Sequence, residues 1–370
     1  MDKLGYGVIG LGRVSSRHLD AAEQNDGARL VAVADANFEK AQQIAAERET
    51  RPTAYQDYHD LLADEAVDVV AVCVPTHMHA EVTIAAAQAG KHVFCEKAMA
   101  PTIKECRAMI AATDDAGVKL MIGQSTRFTP PYAQARRIIE AGQIGDVIAI
   151  DGAFPSTATR PEDVPQDFWR FKAGAQGHGA VVNFGCHYMD TARYLCADDP
   201  KQVSAYIANR FSVGQIPEDQ WVITSICEGV SGRGGAGEII ITIGQYSWLN
   251  RIVVPNGGLA VYGTEGLLLA YGHGGVLTLT RAPGQTEEIS IDEDLLAEET
   301  WRRMHRGFRQ CIEDDTTPPV TGYDGMINVE WAMAAYLSHE RRAWMDLPLG
   351  PEFCEYGGPR LYEEVPTGVS

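Results

Sequence analysis

Basic residues are few for a chain of this size. Lys and Arg number 31 against 50 Asp and Glu, a formal net charge of -19 among 370 residues. That sign argues against binding a phosphate backbone or an anionic membrane surface. Long apolar runs are also missing. No stretch approaches the roughly 20 apolar residues of a membrane span. The eight cysteines show no C-x-x-C spacing, and several stand in apolar runs. They read as reduced packing residues of a cytoplasmic protein, not as a disulfide framework. H-E-x-x-H is absent, and His77 and His79 lack a third ligand at useful spacing, so no metal is expected. There is no internal repeat or low-complexity tract. The first apolar run begins at Leu4, leaving no room for a leader peptide.

What is present points to two domains, the natural expectation for 370 residues that are 45% apolar. The first apolar run ends in Gly10-Leu11-Gly12, and a helical pattern follows through Arg13, Val14, Ser15 and His18. Gly10 allows a tight strand-to-helix turn. Gly12 lets a pyrophosphate approach the backbone, and the helix N-terminus offers it unpaired N–H groups. Ser15 stands where the third glycine of G-x-G-x-x-G is usual, and it is small enough for close packing. A second apolar run from Ala28 to Ala34 ends in Asp35. A carboxylate there accepts hydrogen bonds from the adenosine ribose and repels a 2′-phosphate. Ala36 and Asn37 follow, with no arginine beside it, so NAD is favoured over NADP.

Residues 1–123 alternate short apolar runs with helical patterns, the mark of a doubly wound parallel α/β sheet of the Rossmann type. Helices are expected over 37–49, 79–89 and 101–117, the last opening on a Thr102–Glu105 capping box. Strands are expected over 67–74, 92–95 and 118–122. Ligands bind at the carboxyl ends of such strands. Gly10 to Gly12, Asp35, Pro75-Thr76, Glu96-Lys97 and Gln124 would therefore line one crevice. Residues 124–370 read as a second, α+β domain with an open, largely antiparallel sheet. Its strand patterns fall at 147–154, 203–209, 221–228, 238–244, 251–255, 259–262, 267–270 and 276–279. Helices are expected over 132–141, 180–195, 301–313 and 327–344.

The chain resembles the Gfo/Idh/MocA family of NAD(P)-dependent sugar and cyclitol oxidoreductases. The resemblance runs through Gly7-Val8-Ile9-Gly10-Leu11-Gly12 with His18, then Pro75-Thr76-His77-Met78-His79. It continues through Gly90 to Lys97, Arg127-Phe128-Thr129-Pro130, and Gly177 to Asp190. It implies an N-terminal Rossmann domain, a C-terminal domain with an open sheet, and a homodimer or homotetramer packed through that sheet. It also places Leu11, Arg13, Val14, Val74, His79 and Arg127 at the cofactor, beside the crevice residues above. Three departures stand out. Glu-Lys-Pro is Glu96-Lys97-Ala98 here, the glycine-rich turn is altered at His178, and the aspartate four residues before the catalytic histidine is Asn183.

Oxidation of a secondary alcohol needs a base for the hydroxyl proton and a group to stabilise the developing alkoxide. His187 is the candidate base. Lys97 is its electrostatic partner, or shares the proton transfer. Asn183, four residues before His187, orients the imidazole or bonds a substrate hydroxyl, but cannot supply negative charge. Asp190 reads as structural. Trp169, Arg170 and Lys172 interleave an aromatic face with cations, suited to a sugar ring and to an anionic sugar, with Arg127 and His178 close to the site. The first reading is an NAD-dependent dehydrogenase of a sugar or cyclitol. The alternative is a redox-neutral, NAD-dependent glycoside hydrolase, with Tyr188, Tyr132 or His178 as its second acid/base. A third is an NAD-binding regulator without catalysis.

Overall fold

The computed structural model describes residues 3–157, 179–210, 218–229, 237–248, 257–271 and 275–358. The chain divides into two units. The first comprises Met1–Ser125 and Glu298–Met326, the second Thr126–Ala297 and Ile327–Ser370. The expected split at residue 123 thus misses a return. Residues 298–326 belong with the N-terminal unit and not with the second domain.

The first unit is a six-stranded parallel sheet flanked by helices. In chain order it runs β1 (Leu4–Ile9), α1 (Ser15–Glu23), β2 (Ala28–Ala34), α2 (Phe38–Glu47), β3 (Thr53–Tyr55), α3 (Tyr58–Leu62), β4 (Val69–Val72), α4 (His79–Gln88), β5 (His92–Cys95), α5 (Ile103–Ala116) and β6 (Leu120–Ile122). The strand order is β3-β2-β1-β4-β5-β6, so the winding reverses between β1 and β4. Val69, Val70, Ala71 and Val72 are wholly buried, as expected where helices cover both faces. The Thr102–Glu105 capping box forms as the sequence suggests, Thr102 accepting from the Glu105 N–H at the start of α5. At the start of α2, the Asn37 side chain accepts from the Lys40 N–H. Gly117 ends α5 in the left-handed region, at φ 66°. β3 and α3 went unread in the sequence, being only three and five residues long.

The second unit opens with α6 (Pro130–Glu140) and β7 (Val147–Thr157). A π-helical turn (Val181–Gly185) leads into α7 (Cys186–Cys196). Then come β8 (Pro200–Ala208), β9 (Gln220–Cys227), β10 (Ile239–Trp248), β11 (Gly258–Gly263), β12 (Leu267–Tyr271), β13 (Val276–Ala282), β14 (Gln285–Glu288) and the short α8 (Glu293–Leu296). α9 (Thr300–Glu313) lies in the returning segment, and α10 (Gly322–Arg341) precedes β15 (Met345–Asp346). The nine strands form one mixed sheet, order β14-β13-β12-β11-β7-β10-β9-β8-β15, antiparallel except where β10 meets β7. Alternate residues of β9 are buried: Trp221, Ile223, Ser225 and Cys227 face inward, where the Trp331 indole N–H donates to the Ser225 hydroxyl at 2.7 Å. The strand expected at 251–255 lies outside the described residues. Among the described residues, no helix is long and apolar enough to cross a membrane.

Candidate active site

All six strands of the first sheet are parallel, so their carboxyl ends share one edge. After β1, Gly10 holds φ 85°, and a Cβ there would lie 2.8 Å from the Cys73 carbonyl and the Val74 nitrogen. Only glycine fits. Gly12 differs: a Cβ would meet nothing within 4 Å. That open space, before a helix whose first turn carries no acidic residue and no side-chain cap, is what a pyrophosphate needs. Leu11 is buried, whereas Arg13 is exposed and Val14 half-buried at the mouth of the turn. Ser15 is buried, and its hydroxyl donates to the Gly12 carbonyl at 2.7 Å, so the departure from glycine braces the turn.

Asp35, after β2, is fixed across this turn. Its Oδ2 accepts the Leu11 N–H at 2.8 Å and its Oδ1 the Asn37 N–H at 2.9 Å. A carboxylate has about four lone-pair sites, so room remains for ribose hydroxyls. After β4, Val74 and Pro75 are half-buried and Thr76 opens a short 3-10 turn. Gln124, after β6, is 1% exposed, and its side-chain oxygen has no partner in the protein. A buried orphan acceptor of that kind marks a group kept for a ligand or a water. These features fit a dinucleotide.

Two residues expected at the cofactor are turned inward. The buried His79 ring spans two loops, with Nδ1 2.8 Å from the Ala98 carbonyl and Nε2 2.9 Å from that of Val74. Burial lowers its pKa, so the neutral ring donates to one carbonyl at a time and works as a loop tie. Glu96 is also buried. Its Oε1 lies 3.0 Å from His18 Nε2, and its Oε2 accepts the Lys97 N–H at 3.2 Å. Lys97 itself is half-buried at the end of β5.

In the second unit, the guanidinium of Arg127, expected to touch cofactor or substrate, is buried against Asp190: Nε donates to Oδ2 at 2.7 Å and Nη2 to Oδ1. Asn328 donates to the same carboxylate at 3.1 Å. This pair holds the turn Thr126–Phe128 against α7, and Thr126 Oγ1 stands 3.1 Å from His187 Nδ1. His187, Asn183 and Tyr188 are half-buried and Phe184 is exposed, so this side of the helical segment stays open. Asn183 sits in the π turn, where its Nδ2 donates to the Gly179 carbonyl at 3.3 Å. An i→i+5 turn means that four residues of spacing do not by themselves put Asn183 and His187 on one face. Tyr188 stacks on Phe154, and burial raises its pKa to about 12. Tyr132 is buried at 1% exposure. Trp169, Arg170, Lys172 and His178 lie outside the described residues. Thr126 was not singled out in the sequence. Its only signal was a hydroxyl in the polar turn that precedes Arg127.

A glycine turn after the first strand, an acid after the second and a lysine after the fifth, at one edge of a doubly wound sheet, are the arrangement of a dinucleotide-dependent oxidoreductase. Residues 4–124 match the oxidoreductase family with an NAD-binding Rossmann fold, and residues 132–268 match the GFO/IDH/MocA C-terminal domain. The chain belongs to this Gfo/Idh/MocA family, and its cofactor is NAD. It is 30% identical to the scyllo-inositol 2-dehydrogenase (NAD(+)) of Bacillus subtilis over 331 residues, 89% of this chain and 92% of that one. It is 29% identical to the myo-inositol 2-dehydrogenase of Thermotoga maritima over 350 residues, 91% and 96% of the two chains. Among solved structures, it is similar to the aldose-aldose oxidoreductase of Caulobacter crescentus complexed with glycerol. There the TM-score is 0.78 at 25% identity, covering 93% of this chain and 100% of that one.

Proposed function

We propose that this protein is a dehydrogenase that oxidises a secondary hydroxyl of a sugar or cyclitol. One observation carries the reading. The pyrophosphate turn after β1, the acid after β2 and Lys97 after β5 all leave parallel strands at the same edge of the sheet. The relatives named for inositols and aldoses support a polyol substrate. They give no support to the redox-neutral glycosidase alternative.

Bound at the Gly10–Gly12 turn and Asp35, NAD would supply the acceptor for the hydride of the carbinol carbon. His187 takes the hydroxyl proton at Nε2 in the tautomer whose Nδ1–H donates to Thr126 Oγ1, 3.1 Å away. Lys97 supplies positive charge to the oxygen as it loses that proton and becomes a carbonyl. Asn183 offers its amide to a substrate hydroxyl, and the segment with Trp169, Arg170, Lys172 and His178 supplies further substrate contacts, as expected from the sequence.

Seven of the eight cysteines are buried and none is in a disulfide, which suits a reducing, cytoplasmic compartment. The outer face of the second sheet supports a homodimer or homotetramer. Tyr206, Ile240, Tyr246 and Tyr262 are each 39% exposed or more, and the register sets Ile240 and Tyr262 on either side of Ala149. Sedimentation showing only monomer would remove this interface. The enzymatic reading is tested with NAD and a panel of cyclitols, aldoses and aryl glycosides. Net NADH, read by near-ultraviolet absorbance, supports it. Aglycone release without net NADH, or NAD binding without any turnover, contradicts it.

A further inference from the structure

The first unit contains a buried polar chain that the proposed reaction does not use directly. His18 of α1 and His305 of α9 are both 0% exposed. His18 Nε2 lies 3.0 Å from Glu96 Oε1, and His18 Nδ1 lies 3.1 Å from His305 Nε2. The other Glu96 oxygen accepts the Lys97 N–H at 3.2 Å. Around the two imidazoles stand aromatic rings. Phe94 and Trp301 meet His18 edge-on, each at 5.0 Å, and Phe94 and Tyr6 approach His305 at 4.8 and 5.6 Å. Gly123 leaves room for the carboxylate, since a Cβ there would lie 2.8 Å from Glu96 Oε1.

The direction of this chain follows from counting donors. Glu96 can only accept, so His18 carries a proton on Nε2. Between His18 Nδ1 and His305 Nε2 one atom must donate. Burial, with His18 close by, lowers the His305 pKa well below its usual value, so His305 is neutral and bears one proton. If His18 donated, that proton would sit on His305 Nδ1, which has no partner in the protein. A buried N–H without an acceptor costs about 1–3 kcal/mol. If His305 donates through Nε2, its Nδ1 is only a bare lone pair, and every N–H in the chain is paired. The order is therefore His305 to His18 to Glu96.

We propose that His305 is a positioning residue for Lys97: through His18 it fixes the carboxylate of Glu96, which in turn holds the Lys97 backbone. The returning segment 298–326 thus supplies a support for the lysine from about 200 residues further along the chain. The inference rests on the role given to Lys97 above, but the hydrogen-bond order does not.

Two measurements test it on the full-length protein. Nitrogen-15 NMR of the imidazoles is expected to show both His18 and His305 as neutral Nε2–H tautomers. A doubly protonated His18, or an Nδ1–H tautomer at His305, overturns the order without touching the assigned reaction. Kinetics with the best substrate of the polyol panel then compare His305→Phe, which keeps the ring but not the donor, with His305→Gln, which keeps a donor at similar reach. His305→Phe is expected to lower kcat about 10-fold, with KM and NAD affinity within about 2-fold, and His305→Gln to restore most of the loss. Equal kcat in wild type and His305→Phe, or no rescue by His305→Gln, overturns the positioning role. Should Lys97→Ala retain full activity, the functional reading fails instead, and the tautomers remain a separate result.

Discussion

Thr126 Oγ1 lies 3.1 Å from Nδ1 of His187, so the histidine proposed as base is oriented by a hydroxyl. The family pattern would place an aspartate four residues before it, and Asn183 occupies that position. The hydroxyl orients the ring and can accept from Nδ1–H in the tautomer whose Nε2 is free to accept a proton. It adds no charge, so it does not stabilise the imidazolium as a carboxylate would. Replacing Thr126 by Val should lower kcat about 10- to 100-fold with little change in NAD affinity, while Thr126→Ser should stay within a few-fold. Steady-state kinetics of the two variants check this.

The same turn depends on the Arg127–Asp190 pair. Both side chains are buried, so removing one leaves the other charge uncompensated. Asp190→Ala should cost about 3–5 kcal/mol of stability, read from a urea titration. Arg127→Lys should also destabilise the fold, because an ammonium cannot make the paired contact. A neutral outcome for both would return Arg127 to the role of ligand contact.

Glu218 should make stability fall as pH rises. It is wholly buried, accepts the Val181 N–H and the Tyr336 hydroxyl, each at 2.7 Å, and so caps the segment that carries Asn183 and His187. Burial outweighs those hydrogen bonds and raises its pKa from 4.5 to about 7. Between these values the folded chain holds a proton that the unfolded chain has lost. Its contribution is full below about pH 4.5 and is lost as pH approaches 7, on the order of 3 kcal/mol. Thermal unfolding of wild type and Glu218→Gln across that window checks the slope, which the variant should flatten.

The two glycines of the nucleotide turn should separate fold from binding. Gly10→Ala forces a Cβ to 2.8 Å from the Cys73 carbonyl at φ 85°, so it should lower the melting temperature. A Cβ at Gly12 meets nothing within 4 Å, so for Gly12→Ala the melting temperature without cofactor should hold while NAD affinity falls about 10-fold. Calorimetry with and without NAD distinguishes the two.

The first unit was legible because parallel strands buried on both faces read as unbroken valine runs, as in β4, and because turn chemistry is local. Gly10, Gly12 and Asp35 each follow the end of an apolar run in a recognisable spacing, and the Thr102 cap lies three residues from the Glu105 N–H it accepts. Features carried by distant partners were not legible. Arg127 reads as a ligand contact until Asp190, 63 residues on, is brought to it. His79 reads likewise until the Ala98 carbonyl closes on it. α9 was read correctly as a helix but given to the wrong unit, since its His305 meets His18 across 287 residues. Thr126 carried no motif, because an orienting hydroxyl needs only the right position in space.

The most direct test of the central claim is Lys97→Met assayed beside wild type, with NAD and the best polyol of the panel. The account predicts that wild type accumulates NADH and the ketone in equal amounts. The variant should bind NAD within about 3-fold of wild type yet turn over at least 1,000-fold more slowly, the combined loss of charge stabilisation and shared proton transfer. Turnover by the variant within 10-fold of wild type would contradict it.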